Sequence, residues 1–595
     1  MKKRILNLFA VAAVALSGVS CEKFLTVEPI DKMSADTYFK NELELELFSN
    51  GLIQSYLPTA DGLGYSDYAS DLFCSKTSSD YYRPGIWNAD KQGSWGVSNW
   101  RNIRRANIML NNMTRAKGNV SDEIYNHYQG VARFWRAYFY FAKVQTFGNV
   151  PWIDHALDIE DEVLYAPCDD RELVMHNVLE DLNFACQNLS DDVKFKGVIN
   201  RNVALAFKSR VCLYEGTFRK YHSKNPSTNT AWTNQYETAN KFLEECVSAS
   251  EALMGGQFSL HPDYYDFFHM TNIASSPEAI WWSDYDSGEL NRMHELTWVV
   301  NSSTYDQQVS PTKLMINHYL NLDGTPITHE GKVSINEEFV GRDKRLEACV
   351  HHPGYMYTKT NGEQLLKQTN TTYTYNFYQN VKFSIEIEEN YSKGKNDNDY
   401  PILRYGEVLL NYAEAKAELN NGNLSKEDWD KTIGLLRARA GVANVYPDGA
   451  WDCGWLKAYY GNLTNILTEI RRERTVELLA EGLRVNDLYR WKLGPRIVER
   501  QTNNQGWQGV WVPKDQVGGM EYNGGKYTFT NTKPEAGFGY NVTGSTADQN
   551  HSFSEGDHGF LIYNYKLEWN DKMYVRPIPQ TVLNVNKNMQ QNYGW

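Results

Sequence analysis

Glu473 and Glu477 lie four residues apart in the stretch Ile470-Arg-Arg-Glu-Arg-Thr-Val-Glu-Leu478, and a carboxylate pair is what most glycosidases use to break a glycosidic bond. Such a pair must flank the bond from two sides, roughly 5–10 Å apart, whereas residues four apart on a helix reach out from one face. The pair therefore reads as structural, with Arg474 and Arg484 supplying the cations that relieve its mutual repulsion. His351 and His352 are adjacent, point to opposite sides of any regular backbone, and are expected to be exposed or singly bonded. Asp397-Asn-Asp399 resembles the start of a calcium loop. Val408 stands at its twelfth position, where such a loop needs a bidentate carboxylate, so a solvated turn is expected. No Gly-x-Ser-x-Gly elbow, His-Glu-x-x-His helix or phosphate loop ending in Gly-Lys-Ser/Thr occurs. The chain reads as non-enzymatic, with no catalytic residue, no metal and no cofactor.

Binding chemistry is better supplied. The chain holds 39 Tyr, 24 Phe and 17 Trp, more rings than a core alone uses. An exposed ring with Asp, Asn or Arg at its edge suits a sugar, whose flat apolar faces are rimmed with hydroxyls. Asp80, Tyr81, Arg83 and Trp87 form one such cluster in Asp80-Tyr-Tyr-Arg-Pro-Gly-Ile-Trp87, which continues to Trp95. Trp298, Asn301 and Tyr305 form a second. Trp281 and Trp282 alternate in a strand-like run, so one of them is expected in the core, as are Trp100, Trp135 and Trp491 within helical patterns.

Most of these groups are carried by helices. The pattern is helical over Trp100–Met113, Asp122–Phe147, Arg171–Leu189, Arg201–Phe218 and Trp232–Leu253, and again over Pro401–Leu419, Lys426–Ala440 and Leu463–Trp491. Small residues recur at helical spacing among large ones (Ala132 and Ala137; Ala204; Ala413 and Ala417), which lets helices pair closely, as in tetratricopeptide repeats. The predicted fold is mainly α, a tetratricopeptide-like helical-pair scaffold over about 34–254 and 401–491. Two loop-rich, partly β segments, about 255–400 and 501–570, are inserted into it. No Pro/Ser-rich linker divides residues 34–595, so they read as a single domain.

The start has a different physics. Lys2, Lys3 and Arg4 precede an apolar run from Ile5 to Leu16, and small residues lead to Cys21. That is a lipoprotein signal, 1–20, with Cys21 as the lipidated first residue of the mature chain and 21–33 as an extended tether. The apolar run is shorter than the roughly 20 residues that span a bilayer, so the membrane is reached through a lipid anchor. A net charge of −13 without a basic cluster beyond the signal excludes nucleic acid as a partner. The cysteines after Cys21 stand singly, without zinc or redox spacing, and few or no disulfides are expected.

Several stretches together resemble one family. They are Cys21-Glu-Lys-Phe-Leu25 with Pro29; Arg133-Phe-Trp-Arg-Ala-Tyr-Phe-Tyr140, running on to Phe147-Gly-Asn-Val-Pro-Trp152; Pro401 to Ala415; Ile470 to Leu478 followed by Glu481-Gly-Leu-Arg-Val-Asn-Asp-Leu-Tyr-Arg-Trp491; and Pro577-Ile-Pro579 with Gln591-Asn-Tyr-Gly594. In this order they resemble the SusD-like (RagB/SusD) family of outer-membrane nutrient-binding lipoproteins. The resemblance implies a protein anchored in the outer membrane and facing the cell exterior. It would capture oligo- or polysaccharide and deliver it to a SusC-like TonB-dependent transporter. A surface-anchored glycoside hydrolase and a tetratricopeptide scaffold that binds only proteins are the alternatives.

Overall fold

The computed structural model describes residues 38–74, 82, 84–158, 160–192, 196–301, 309–327, 331–369, 374, 376–448, 453–498, 507–531, 540–542, 551–563 and 567–595. Signal, lipidation site Cys21 and tether lie outside the described residues.

Helices dominate: α1 Glu42–Tyr56, α2 Val97–Asn112, α3 Asp122–Phe147, α4 Arg171–Asn188, α5 Arg201–Tyr221, α6 Ala239–Leu253, the short α7 Leu296–Asn301, α8 Tyr405–Leu419, α9 Ile433–Arg439, α10 Asn465–Glu477 and α11 Arg484–Arg490. Their starts are written in the sequence. Ser121, Asp170, Asn200, Thr238 and Thr464 each accept a backbone N–H in the first turn of α3, α4, α5, α6 and α10, so donors a helix leaves unpaired are satisfied. Thr238 also explains why α6 begins at Ala239 rather than at Trp232. Gly148 ends α3 at φ 72, a conformation that L side chains avoid.

Neighbouring helices pack on one another, α2 on α3, α3 on α4, α4 on α5, α5 on α6, and α8 against α5, α6 and α10. Ala132, Ala137, Ala204, Ala413 and Ala417 are fully buried between them, as their spacing predicts. Buried ion pairs cross the same seams: Arg136 grips Asp181 at 2.7 and 2.8 Å, and Arg171 reaches Glu215 at 2.7 Å. The mainly α, repeat-like architecture expected from the sequence is the one observed.

Three further predicted helices differ, and the one expected over Lys426–Ala440 is two short helices, Lys426–Asp430 and Ile433–Arg439, separated at Lys431 and Thr432. Tyr400–Arg404 (β2) is a strand that pairs antiparallel with Ala279–Ser283 (β1), so the helix expected from Pro401 begins only at Tyr405. Pro401 lacks an N–H and tolerates that strand next to a register shift. The stretch Leu463–Trp491 breaks between α10 and α11, where Ala480 and Gly482 take φ 59 and φ 81. Trp281 and Trp282 are both buried, not one of them. β1 runs between two cores, and Trp281 joins the helical one while Trp282 joins the second.

That second core gathers Ala60–Phe73, the segment 264–400 and strands β3 Trp507–Val512, β4 His551–Phe553 and β5 Gly559–Tyr563, which form a small antiparallel sheet in the order β4-β5-β3. Buried charge joins it to the helices. Glu477 of α10 meets Arg404 Nη1 at 2.6 Å, Arg345 Nη1 at 2.8 Å and Arg439, and Glu473 meets Arg345 at 2.6 Å and Arg437 at 3.1 Å. The cations expected there, Arg474 and Arg484, pair instead with Asp487 and Asp71 at 2.8 Å. One residue along a helix turns the side chain by about 100°, which carries Arg474 to the α8/α11 side.

His351 is buried, with Nε2 2.9 Å from the Lys367 carbonyl and Nδ1 3.2 Å from the Tyr522 hydroxyl, so the expectation of an exposed or singly bonded ring fails. Burial drives its pKa down to about 3 and keeps the ring neutral. Asn398 and Asp399 are buried too, not part of a solvated turn: Asp399 accepts N–H groups from Ile273 and Tyr285 at 3.0 and 2.9 Å and pins the two loops together. The seven described cysteines are free.

Candidate functional site

The last turns of α3 place Ala142, Gln145 and Thr146 on one face, because residues three and four apart on a helix are neighbours. On α11, Val485, Asn486 and Tyr489 share a face while Asp487, Leu488 and Arg490 are buried. The segment 61–69 adds Tyr65, Ser66 and Tyr68, and the C-terminal stretch adds Tyr574 and Arg576. With Tyr82 and Trp87 these surround an open cleft of about 660 Å³.

Its walls are rings held by rings. Tyr65 and Tyr68 stack at 5.6 Å; Trp87 lies nearly parallel to Tyr82 at 6.4 Å and to Trp595 at 6.1 Å; Tyr489 stands edge-on to Tyr574 at 5.7 Å. The Arg576 guanidinium sits 5.3 Å from the Trp87 ring centre, and Tyr574 accepts the Gly494 N–H at 3.1 Å. Gln145 and Asn486 are half-buried in the cleft, and among the described residues their carboxamides have no hydrogen-bond partner. Apolar planes with uncommitted donors and acceptors at their edges suit a ligand that has flat faces and a rim of hydroxyls.

Asp67 ties two walls of this cleft together. Its carboxylate accepts the N–H of Gly482 at 3.0 Å and of Arg484 at 2.9 Å, so the segment that carries Ser66 and Tyr68 is clipped to the turn that opens α11. Complete burial raises its pKa to about 7; the two N–H groups pull it down, and Asp487 and Glu481 push it up. Between the ordinary carboxylate range and pH 7 the folded state therefore holds a proton that the unfolded chain has released, and stability falls as pH rises through that window. Asp67→Asn should flatten this dependence, so that wild type loses stability relative to the variant from pH 4 to pH 7. Parallel urea-midpoint profiles for the two proteins would contradict it.

Of the nominated residues that the structure describes, Trp87 alone lines this cleft. Asp80, Tyr81, Arg83 and Tyr305 lie outside the described residues. Trp95 is a core residue, 8% exposed, edge-on to Phe147 at 4.7 Å and Trp100 at 5.3 Å. The reason is local: Ser94 at φ 67 turns the chain, and Lys143 Nζ holds its carbonyl at 2.8 Å, so the ring folds onto α3. Asn301 is also buried; it donates to the Thr297 carbonyl at 3.0 Å and accepts from Gln379 at 3.0 Å, leaving nothing for a ligand. Trp298 is half-buried in the second core with Lys393 5.2 Å over its ring, away from the residues that line the cleft. Sequence reasoning missed Tyr65, Tyr68, Gln145, Asn486, Tyr489 and Tyr574. The available signal was the i, i+3 spacing of Asn486 and Tyr489 on a helix whose other face is fully committed.

The fold and the cleft define a helical-repeat protein with an open aromatic binding site. The SusD family model matches residues 277–595, more than half of the sequence. A second model, described as starch-binding and associating with the outer membrane, matches residues 23–213. The chain belongs to the SusD family. It is 24% identical over 378 residues to SusD-like protein P2 of Formosa agariphila, a match that spans 62% of this chain and 65% of that relative's length. Solved structures share the fold. A SusD-like protein from Bacteroides fragilis NCTC 9343 aligns with TM-score 0.67 at 19% identity over 96% of this chain and 100% of its own. A SusD-like carbohydrate-binding protein from the same strain gives 0.65 at 19% over 93% and 100%. Surface glycan-binding protein A from Bacteroides fluxus gives 0.55 at 16% over 93% and 100%. No described helix is long and apolar enough to cross a membrane.

Proposed function

We propose that the protein captures oligo- or polysaccharide in the cleft between α3, α11 and the segment 61–69, outside the outer membrane, and passes it uncut to a SusC-like TonB-dependent transporter. The observation that carries this reading is the cleft itself, walled by Tyr65, Tyr68, Trp87 and Tyr489 and edged by the free amides of Gln145 and Asn486. The carbohydrate-binding and glycan-binding names of two structural relatives support it. Residues 1–20 act as the signal, Cys21 carries the lipid, 21–33 form the tether and 34–595 form one domain.

Each stacked ring contributes on the order of 1 kcal/mol, so a single sugar binds weakly and a chain that touches several rings binds more tightly. In native affinity gels the cognate polysaccharide should retard the protein and emerge uncut. Trp87→Ala should weaken binding about fivefold, the equivalent of one stacked ring, in calorimetry with oligosaccharides of increasing length. Cleaved glycan would establish a hydrolase instead, and wild-type binding by Trp87→Ala would remove the cleft from the reading. Cys21→Ala should leave the membrane fraction and appear as soluble protein in cells that lack the transporter; continued membrane association there would refute the anchor.

A further inference from the structure

A smaller cavity of about 130 Å³ opens off the cleft, and Ala142, Gln145, Gly482 and Asn486 line both spaces. Arg210, Arg474 and Arg490, Glu481 and Asp487, and Tyr138 also line it.

The two carboxylates are fully used. Glu481 accepts from Arg404 Nε and Nη2, each at 2.7 Å, and from Lys382 Nζ at 2.6 Å. Asp487 accepts from Arg474 Nε at 2.8 Å and Arg490 Nε at 2.9 Å. Arg210 is only partly used. Its Nε and Nη2 hold Glu407 at 2.7 and 2.6 Å, Nη2 also reaches the Ile402 carbonyl at 2.7 Å, and Nη1 has no hydrogen-bond partner among the described residues. The Tyr138 hydroxyl also lacks a hydrogen-bond partner among them. It lies within electrostatic reach of Arg210, which draws its pKa down against the burial that raises it to about 12.

What the cavity offers is therefore a guanidinium N–H pair and a phenol, with two carboxamides at the mouth. A carboxylate or sulfate has oxygens that only accept, and charge-assisted bonds to such groups are about twice as strong as neutral ones. The space equals a few water molecules at ~30 Å³ each, enough for one such group. We propose that this cavity is a subsite for an anionic substituent, a carboxylate or a sulfate, on the glycan held in the cleft. The proposal rests on the glycan-capture reading above.

Affinity gels and calorimetry with the full-length protein test it, using homogalacturonan and alginate against their carboxyl-reduced forms, and κ-carrageenan and chondroitin sulfate against their desulfated forms. The first pairs report a carboxylate, the second a sulfate. In at least one pair the acidic member should bind about tenfold more tightly, as one or more charge-assisted bonds allow. That preference should collapse in Arg210→Gln and in Tyr138→Phe, the second of which leaves the Arg210 pair with Glu407 intact. Charge-blind binding that is weakened by Trp87→Ala, or a preference that survives both variants, overturns the anion subsite and leaves the cleft standing. Binding of none of the probes, or binding indifferent to Trp87→Ala, overturns both.

Discussion

Replacing Glu477 by alanine should cost about 3–5 kcal/mol, the usual penalty for stranding buried charges, and should be the most damaging single truncation of a side chain in this fold. Glu477 is fully buried, and Arg345, Arg404 and Arg439 converge on its two oxygens from three separate segments. Without it those guanidiniums repel one another in a medium that screens poorly. Glu477→Gln should recover part of the loss through its shape and carbonyl. Urea unfolding followed by tryptophan fluorescence reads the effect, and midpoints equal to wild type would show that the network adds nothing. The pH dependence follows with the opposite sign to that of Asp67. Burial alone would raise Glu477, but Arg439, Arg404 and Arg345 hold it well below the ordinary carboxylate range. Its contribution is present above the unfolded carboxylate pKa and is lost only as pH falls through the depressed folded value. Glu414 behaves alike: burial opposes ionisation, yet Arg490 at 2.5 Å brings it to about 2, so its share fades between pH 4.5 and about 2.

Gly482→Ala should lower both stability and glycan affinity. At φ 81 the residue occupies a backbone region that costs a non-glycine residue roughly 1–2 kcal/mol. A Cβ there would also meet Ser66 Oγ at 2.7 Å and the Leu63 carbonyl at 2.8 Å. The hydroxyl can swing away, but the backbone oxygen cannot without moving the segment that carries Tyr65 and Tyr68, and overpacking of this kind costs about 1–3 kcal/mol more. Gly461→Ala is the control, since its φ is 88 but nothing lies within 4 Å of the added carbon. The Gly482 variant should lose more in urea midpoint and should bind oligosaccharide less tightly. Equal midpoints for the two variants, with unchanged binding, would refute the close approach.

Three of the stretches that marked the family in the sequence, Arg133–Tyr140, Pro401–Ala415 and Glu481–Trp491, prove to be ends of buried interactions. Arg136 and Tyr140, in the stretch Arg133–Tyr140, reach Asp181 at 2.7 Å and the Ile153 N–H at 2.6 Å. Glu414, in Pro401–Ala415, accepts from Arg490 at 2.5 and 2.7 Å and from the Trp491 indole Nε1–H at 2.6 Å, so two of the stretches close on each other. Which partner each charged residue takes is not legible beforehand, because a buried ion in a sequence carries no mark of its partner.

Local physics set what could be read from the sequence: the helices, their capping residues, the small residues at their seams and the glycine that ends α3 all depend on neighbours within a few positions. Those signals determined the class of fold and, through the ordered motifs, the family. Tertiary structure alone decided the rest. Trp95 became core and Trp87 cleft although both sit in similar polar stretches, because Lys143, 48 residues beyond Trp95, anchors the turn before it. Trp281 and Trp282 entered different cores because a strand was laid between two layers built from distant segments. The cleft needs Tyr65, Gln145, Asn486 and Tyr574 at one place, and sequence separations of that size leave no periodicity to detect. Which rings face a ligand depends on long-range packing and on which polar groups find a partner elsewhere, and both are properties of the folded chain.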